Sequence, residues 1–224
     1  MQYKKTVPGV FLDRPNRFIA HVLIGERQET VHIKNTGRCR ELLQPGVRVW
    51  LSESDNPARK TKYDLVAVEK HRPGQPDLLV NMDSQLPNDA AEEWLRAGHF
   101  CSSGAEIRRE VFYGDSRFDF MIRDGERTVL LEVKGVTLEE KGIAAFPDAP
   151  TTRGVKHLRE LIKAGEEGLE TWVLFVVQMK EMEYLRPCDE HDPEFGKVLR
   201  QAVQAGVRLL AVDCEVTPDA MRLS

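Results

Sequence analysis

The hydrophobic period of this 224-residue chain changes once, near Met82, and that switch limits what the chain can fold into. Before it, apolar residues alternate in short runs: Phe18, Ala20, Val22 and Ile24; Val31 and Ile33; Val47, Val49 and Leu51; Leu65 to Val68; Leu78 to Val80. Strand side chains point to opposite faces in turn, so runs of this kind read as half-buried strands, about five of them. The breaks at Gly25-Glu26-Arg27, Asn35-Thr36-Gly37, Pro45-Gly46 and Pro73-Gly74 supply residues that tolerate positive φ or preset a corner. Short strands so closely spaced predict a small OB-like β-barrel over residues 1–82.

After Met82 the spacing becomes helical. A helix is expected from an Asn88 cap through Ala97, closed by Gly98. Strands follow over residues 105–112, 117–122 and 128–134, the last two joined by the hairpin-favouring Asp124-Gly125 pair. A helix over 152–164, an apolar strand over 172–177, a helix over 193–205 capped by Asp192 and a strand over 207–212 complete the chain. The closing β-α-β stretch favours parallel pairing, so residues 83–224 read as a second, α/β domain with a mixed central sheet.

Charge divides at the same point. Residues 1–82 hold 14 Lys and Arg against 9 Asp and Glu, whereas the remainder holds 18 against 27. A basic module joined to an acidic one suits a protein whose first part attracts phosphate and whose second gathers carboxylates around a cation. No apolar run reaches the length of a membrane span or signal peptide, so a cytoplasmic protein without a membrane partner is expected. The cysteines at 39, 101, 188 and 214 form no Cys-x-x-Cys pair and read as reduced core thiols. Cys188 and His191 have chelate spacing, but a structural zinc needs two more ligands, and no second close pair exists.

The segment Thr128-Val-Leu-Leu-Glu-Val-Lys-Gly135 carries the chemistry. On a strand, Glu132 and Lys134 share one face and Leu131 and Val133 the other. Two ionised groups on an apolar strand need compensation, and Asp119, on the preceding strand, is placed to supply it, with Phe118 and Phe120 facing away from it to anchor the hairpin in the core. Two converging carboxylates completed by water match the demands of Mg²⁺ or Mn²⁺. Asp119 and Glu132 are therefore expected to be metal ligands, Lys134 a catalytic ammonium, and Glu110 a third carboxylate. A plain cross-strand charge ladder is the bland alternative.

The order acid, hairpin, Glu-x-Lys, helix resembles the PD-(D/E)XK nuclease superfamily. A longer set of motifs resembles the sugar fermentation stimulation protein family: Glu110-Val-Phe-Tyr-Gly114, Ser116-Arg-Phe-Asp-Phe120, Glu132-Val-Lys-Gly-Val-Thr-Leu138, Phe146-Pro-Asp-Ala149 and Arg153-Gly-Val-Lys-His-Leu-Arg-Glu-Leu161. The Asn35-Thr-Gly37 and Pro45-Gly46 turns match as well, while Lys34 stands where a Pro is expected. The resemblance implies an N-terminal OB-like domain, a restriction-endonuclease-like second domain, DNA binding with little sequence preference and a link to sugar-use regulation. It also nominates Lys156 and His157, on the helix after the Glu-x-Lys strand, as additions to the active centre.

That helix should present Val155, Leu158 and Ile162 inward and Arg153, Lys156, Arg159 and Lys163 to a phosphate backbone. In the barrel, Arg38 and Arg40 after the Asn-Thr-Gly turn, and Lys60 and Lys62 beside Tyr63, are placed to grip nucleic acid, with Arg117 as a further contact in the second domain. Three functions fit: a metal-dependent DNA phosphodiesterase, a DNA-binding regulator on a nuclease scaffold, and an oligosaccharide-binding barrel.

Overall fold

The computed structural model describes residues 1–224 apart from Thr36 and Arg38. Its first part contains β1 (Thr6–Asn16), β2 (Ile19–Ile24), β3 (Arg27–Ile33), β4 (Arg48–Glu53), β5 (Tyr63–Lys70) and β6 (Leu78–Asn81), hydrogen-bonded in the order β3-β2-β1-β4-β5-β6. A parallel pairing of β3 with β5, through His32–Asp64 and Ile33–Leu65, closes the first five strands into an OB-like barrel. Val22, Val31, Val49, Leu51, Leu65 and Val68 are buried in its interior, and β6 extends the sheet beyond β5. The strand invisible to the alternation pattern is β1, because Pro8, Gly9 and Pro15 interrupt it. Pro8 lies opposite Trp50 of β4, before the pairing of β1 with β2 begins at Val10, so the N–H it lacks is tolerated.

The second part contains α1 (Leu86–Arg96), β7 (Glu106–Tyr113), β8 (Ser116–Asp124), β9 (Arg127–Val136), β10 (Leu138–Glu140), β11 (Ile143–Phe146), α2 (Thr152–Glu166), β12 (Glu170–Val177), β13 (Tyr184–Pro187), α3 (Pro193–Gln204), β14 (Arg208–Thr217) and β15 (Ala220–Leu223). Six of these strands form a mixed sheet in the order β15-β14-β12-β9-β8-β7, in which β12 runs parallel to both β9 and β14. Leu86, Ala90, Ala91 and Leu95 of α1 share a core with Phe120, Leu131, Val133 and Leu174. The amphipathic helices α2 and α3 bury Val155, Leu158, Leu161, Phe195 and Val198 with Phe118, Leu130, Val173 and Phe175, in a cluster continuous with the barrel interior. A small sheet of β10, β11 and β13 was not expected, its strands being too short to show a period. Among the described residues no helix is long and apolar enough to cross a membrane.

Two local expectations are corrected. Asn88 does not cap α1; the helix begins at Leu86, with Gln85 as its cap and Pro87 presetting the first turn, so the Asn88 side chain is free to reach elsewhere. Phe118 and Phe120 are both buried but do not anchor one core, since Phe118 joins the core beneath α2 and Phe120 the core beneath α1. The expected α3 cap is present. Asp192 Oδ1 accepts the Phe195 N–H at 3.0 Å, and its Oδ2 accepts the Thr151 N–H, at the mouth of α2, at 2.8 Å. One buried carboxylate thus serves two helix starts. Asp192→Ala is expected to cost about 2 kcal/mol, read as a lower denaturant midpoint at unchanged slope.

Candidate active site

The backbone ladder between β8 and β9 runs from Asp124–Arg127 to Phe120–Leu131 and stops there. At the next position Asp119 takes over with its side chain, Oδ2 accepting the Val133 N–H at 2.7 Å. The strands part at this point, which explains why Phe118 and Phe120 enter different cores. It also holds the Asp119 carboxylate beside Glu132. From α1, Asn88 Nδ2 donates to Asp119 Oδ1 at 2.6 Å.

Glu132 is buried, at 3% exposure, and faces α2. Its Oε1 accepts from Lys134 Nζ at 2.6 Å and from Nδ1 of His157. Because a carboxylate can only accept, the proton lies on His157 Nδ1, leaving Nε2 to face the Arg153 Nε–H at 3.5 Å. Phe118 supports the imidazole, their ring centroids lying 5.4 Å apart. Glu132 Oε2 is buried and has no hydrogen-bond partner among the described residues.

The two carboxylates are held in opposite protonation regimes. Burial, and then the Glu132 charge, push the Asp119 carboxyl up to about 6, against the Val133 and Asn88 hydrogen bonds and the Lys134 charge. Burial opposes ionisation of Glu132 too, but Lys134 and His157 together hold it below the ordinary glutamate range. The result is one firmly ionised carboxylate and one that ionises with difficulty beside it. Among the described residues no set of three or more His, Cys, Asp and Glu side chains is arranged to ligate a metal by itself.

The end of β9 is anchored to the barrel. Gln178 N–H donates to Val136 O at 2.9 Å, and Gln178 Nε2 donates to Asn81 O at 3.1 Å and Asp83 O at 3.2 Å. A Cβ at position 135 would stand 2.5 Å from Gln178 Oε1 and 2.8 Å from Pro87 Cγ, so glycine is required directly after Lys134. Lys34 bridges the same junction, its Nζ lying 3.0 Å from Asp83 Oδ2 and 3.9 Å from Asp64 Oδ2.

Of the residues singled out in the sequence, Asp119, Glu132, Lys134 and His157 come together. Glu110 lies on β7 between the Arg109–Phe120 and Val111–Phe118 pairs, opposite Asp119, but its carboxylate is exposed and pairs at 3.5 Å with Arg117. Its φ of +53° is uncommon for a residue with a side chain and marks local strain. Arg153 and Lys156 are exposed on α2, and Lys156 Nζ donates to Asp115 O at 2.6 Å. The rest of that basic face is neutralised by pairing of Arg159 with Glu194 and of Lys163 with Glu160. In the barrel, Lys62 is paired with Glu53 at 3.1 Å, while Lys60 and Arg40 are exposed. Arg38 lies outside the described residues. Sequence reasoning missed Asn88 and Gln178. Only tertiary packing brings either side chain to the site, and the one local signal at Asn88, its cap propensity, pointed elsewhere.

Two family models match the chain: the SfsA N-terminal OB domain over residues 12–81 and the Sugar fermentation stimulation protein RE domain over residues 85–220. A sugar fermentation stimulation protein homolog of Desulfitobacterium hafniense is 52% identical over 221 residues, covering 99% of this chain and 94% of the relative. One from Clostridium beijerinckii is 47% identical over 223 residues, covering 100% and 96%. Among solved structures, Pyrococcus furiosus SfsA in complex with Ca²⁺ superposes with a TM-score of 0.87 at 30% identity, covering 100% of this chain and 95% of the other.

Proposed function

The chain belongs to the sugar fermentation stimulation protein family, and from that premise we propose that it binds DNA with little sequence preference and hydrolyses phosphodiester bonds at a Mg²⁺- or Mn²⁺-dependent, PD-(D/E)XK-type centre. The observation that carries this reading is Glu132 Oε2, a buried carboxylate oxygen with no donor among the described residues, next to a second carboxylate raised by burial and then by the Glu132 charge. An orphaned buried acceptor costs about 1–3 kcal/mol, and paired carboxylates repel. A divalent cation between Asp119 and Glu132 would relieve both costs. The donors fit, since two hard carboxylate oxygens with water and phosphate oxygens completing the shell are what Mg²⁺ and Mn²⁺ take. The Pyrococcus furiosus relative is solved in complex with Ca²⁺, another oxygen-seeking cation, which supports a divalent-cation site in this chain.

Such a cation, when bound, acidifies a coordinated water and neutralises charge on the phosphate. The protein's own groups do the rest. Lys134 keeps an ammonium beside the reacting phosphate, where it stabilises developing negative charge and orients the attacking water. His157 and Lys134 fix Glu132 Oε1 and leave Oε2 as the oxygen that would hold the cation, while Asn88 and the Val133 N–H fix Asp119. Glu110 is assigned a supporting role as a third carboxylate at the edge of the site. Arg117, Arg153, Lys156, Lys60 and Lys62 contribute phosphate contacts of graded strength, with the residues already paired to carboxylates contributing least.

Calorimetric titration of the metal-free protein with Mn²⁺ tests the site directly. One ion is expected to bind per chain, and Asp119→Asn is expected to remove that binding. EDTA-sensitive cleavage of plasmid and oligonucleotide DNA should accompany it. Binding of DNA without cleavage under any divalent ion would leave a non-catalytic regulator on a nuclease scaffold.

A further inference from the structure

An arginine-lined cavity of about 460 Å³ opens where the barrel meets the second domain. Its walls are Arg14, Asn16, Arg17, Gly37, Arg40, Leu43 and Ala149, with no carboxylate among them. Elsewhere in the barrel the cations are largely neutralised: Lys5 and Lys62 sit on Glu53, Arg59 on Asp64 and Arg48 near Glu69. Among the described residues, neither Arg17 nor Arg40 has a carboxylate partner, and both are exposed. Two unneutralised guanidinium groups at one cavity present planar donor forks suited to an oxyanion such as phosphate.

The cavity is held open by a built frame. Arg14 donates from Nη1 to Gly37 O at 2.9 Å and from Nη2 to Arg17 O at 2.7 Å and Asn35 O at 3.0 Å, tying the β1–β2 hairpin to the segment after β3. Asn16 Oδ1 accepts the N–H groups of Phe18 and Ile19 at 2.9 and 3.1 Å, which fixes the hairpin tip. Phe18, next to Arg17, is left 50% exposed at that tip. A second, smaller cavity of about 170 Å³ shares Gly37 with the first and contains Asp148, the neighbour of Ala149. It reaches Gly135, the residue directly after Lys134.

We propose that the Arg14–Arg17–Arg40 cavity is a docking subsite for single-stranded DNA, holding a backbone phosphate on Arg17 and Arg40 and stacking an unpaired base on Phe18, on the side of the junction from which the smaller cavity continues to Gly135 of β9. This inference rests on the phosphodiesterase reading only for where the strand leads; the binding itself does not depend on turnover. A single strand fits better than a duplex because an exposed aromatic gains from a base only when that base is unstacked, and a recessed cavity admits one backbone.

The test is fluorescence anisotropy with a fluorescein-labelled 20-nucleotide single strand in EDTA, where no cleavage occurs. Arg17→Ala/Arg40→Ala is expected to bind about tenfold more weakly, with the slope of log affinity on log salt shallower by about 0.7, as for one phosphate no longer neutralised on a single strand. Phe18→Ala should weaken the single strand and leave a duplex of the same sequence unaffected. Both sites are exposed, and unchanged melting temperatures would confirm that the variants fold. Wild-type affinity and slope in the double variant, equal loss of single strand and duplex in Phe18→Ala, or no oligonucleotide binding by the wild type would each overturn the proposal. If the variants lose binding while the wild type shows no cleavage with any divalent ion, the subsite stands and the phosphodiesterase reading falls. If EDTA-sensitive cleavage occurs and the double variant binds normally, the reverse holds.

Discussion

Glu132→Gln is expected to abolish metal-dependent DNA cleavage, a loss on the order of 10³-fold or more in kcat. The substitution is nearly isosteric, so Lys134 and His157 keep an acceptor at the same place, but it removes both the charge and one oxygen of the carboxylate whose Oε2 is unpartnered. A neutral amide is a poor ligand for a hard cation and contributes nothing to holding it against the developing charge on phosphate. Lys134→Met should also lower kcat strongly, yet leave Mn²⁺ binding in place, because in the proposed reading the ammonium acts on phosphate and water and is no ligand of the cation. Cleavage by Glu132→Gln at the wild-type rate would remove this carboxylate from the chemistry.

Asp119→Asn is expected to do two opposite things: eliminate Mn²⁺ binding and cleavage, and stabilise the metal-free protein at neutral and alkaline pH. Its carboxyl ionises near 6 in the folded chain against an ordinary value of 3.8, so the folded state binds the extra proton. The stability attached to that proton is fully present below about 3.8 and is lost as pH rises through about 6. Above that window the ionised Asp119 costs about 3 kcal/mol, at roughly 1.4 kcal/mol per pKa unit. An asparagine can still accept the Val133 N–H and carries no charge against Glu132. In EDTA at pH 8 the variant should melt about 6–12 °C above wild type, the difference disappearing by pH 4. Mn²⁺ should close part of the gap from the other side by stabilising only the wild type. Equal melting temperatures at pH 8 would mean that Asp119 carries no such burden.

The opposition between those two effects is what a site built to receive a cation should show. Like charges gathered in a buried place destabilise the empty fold and are compensated when the ion arrives. A charge ladder of purely structural purpose would be most stable as it stands, and neutralising one member would weaken it.

Much of this was legible in the residues. The switch of period at Met82 announced a β-barrel followed by an α/β unit because side-chain periodicity is set locally by strand and helix geometry. The Glu132-x-Lys134 spacing put two charges on one face for the same reason, and Asp192 as a helix cap followed from chemistry within three residues of its partner. Where local signals conflicted, the sequence misled. Pro8 and Pro15 hid β1, and the cap propensity of Asn88 concealed its bond to Asp119, 31 positions away. The alternation rule put Phe118 and Phe120 on one face, whereas the parting of β8 from β9 at Asp119 sends them to two cores.

Left to itself, the chain's order of residues determined the two architectures, their sequence and the identity of the charged groups on β9, since each depends on neighbours a few positions apart. The tertiary structure alone decided which of those groups meet. Burial lifts Asp119, His157 and Lys134 hold Glu132 ionised with one oxygen bare, and Gln178 clamps the strand end to the barrel. These are consequences of desolvation and of contacts across dozens of residues, and neither quantity is defined until the chain has closed on itself.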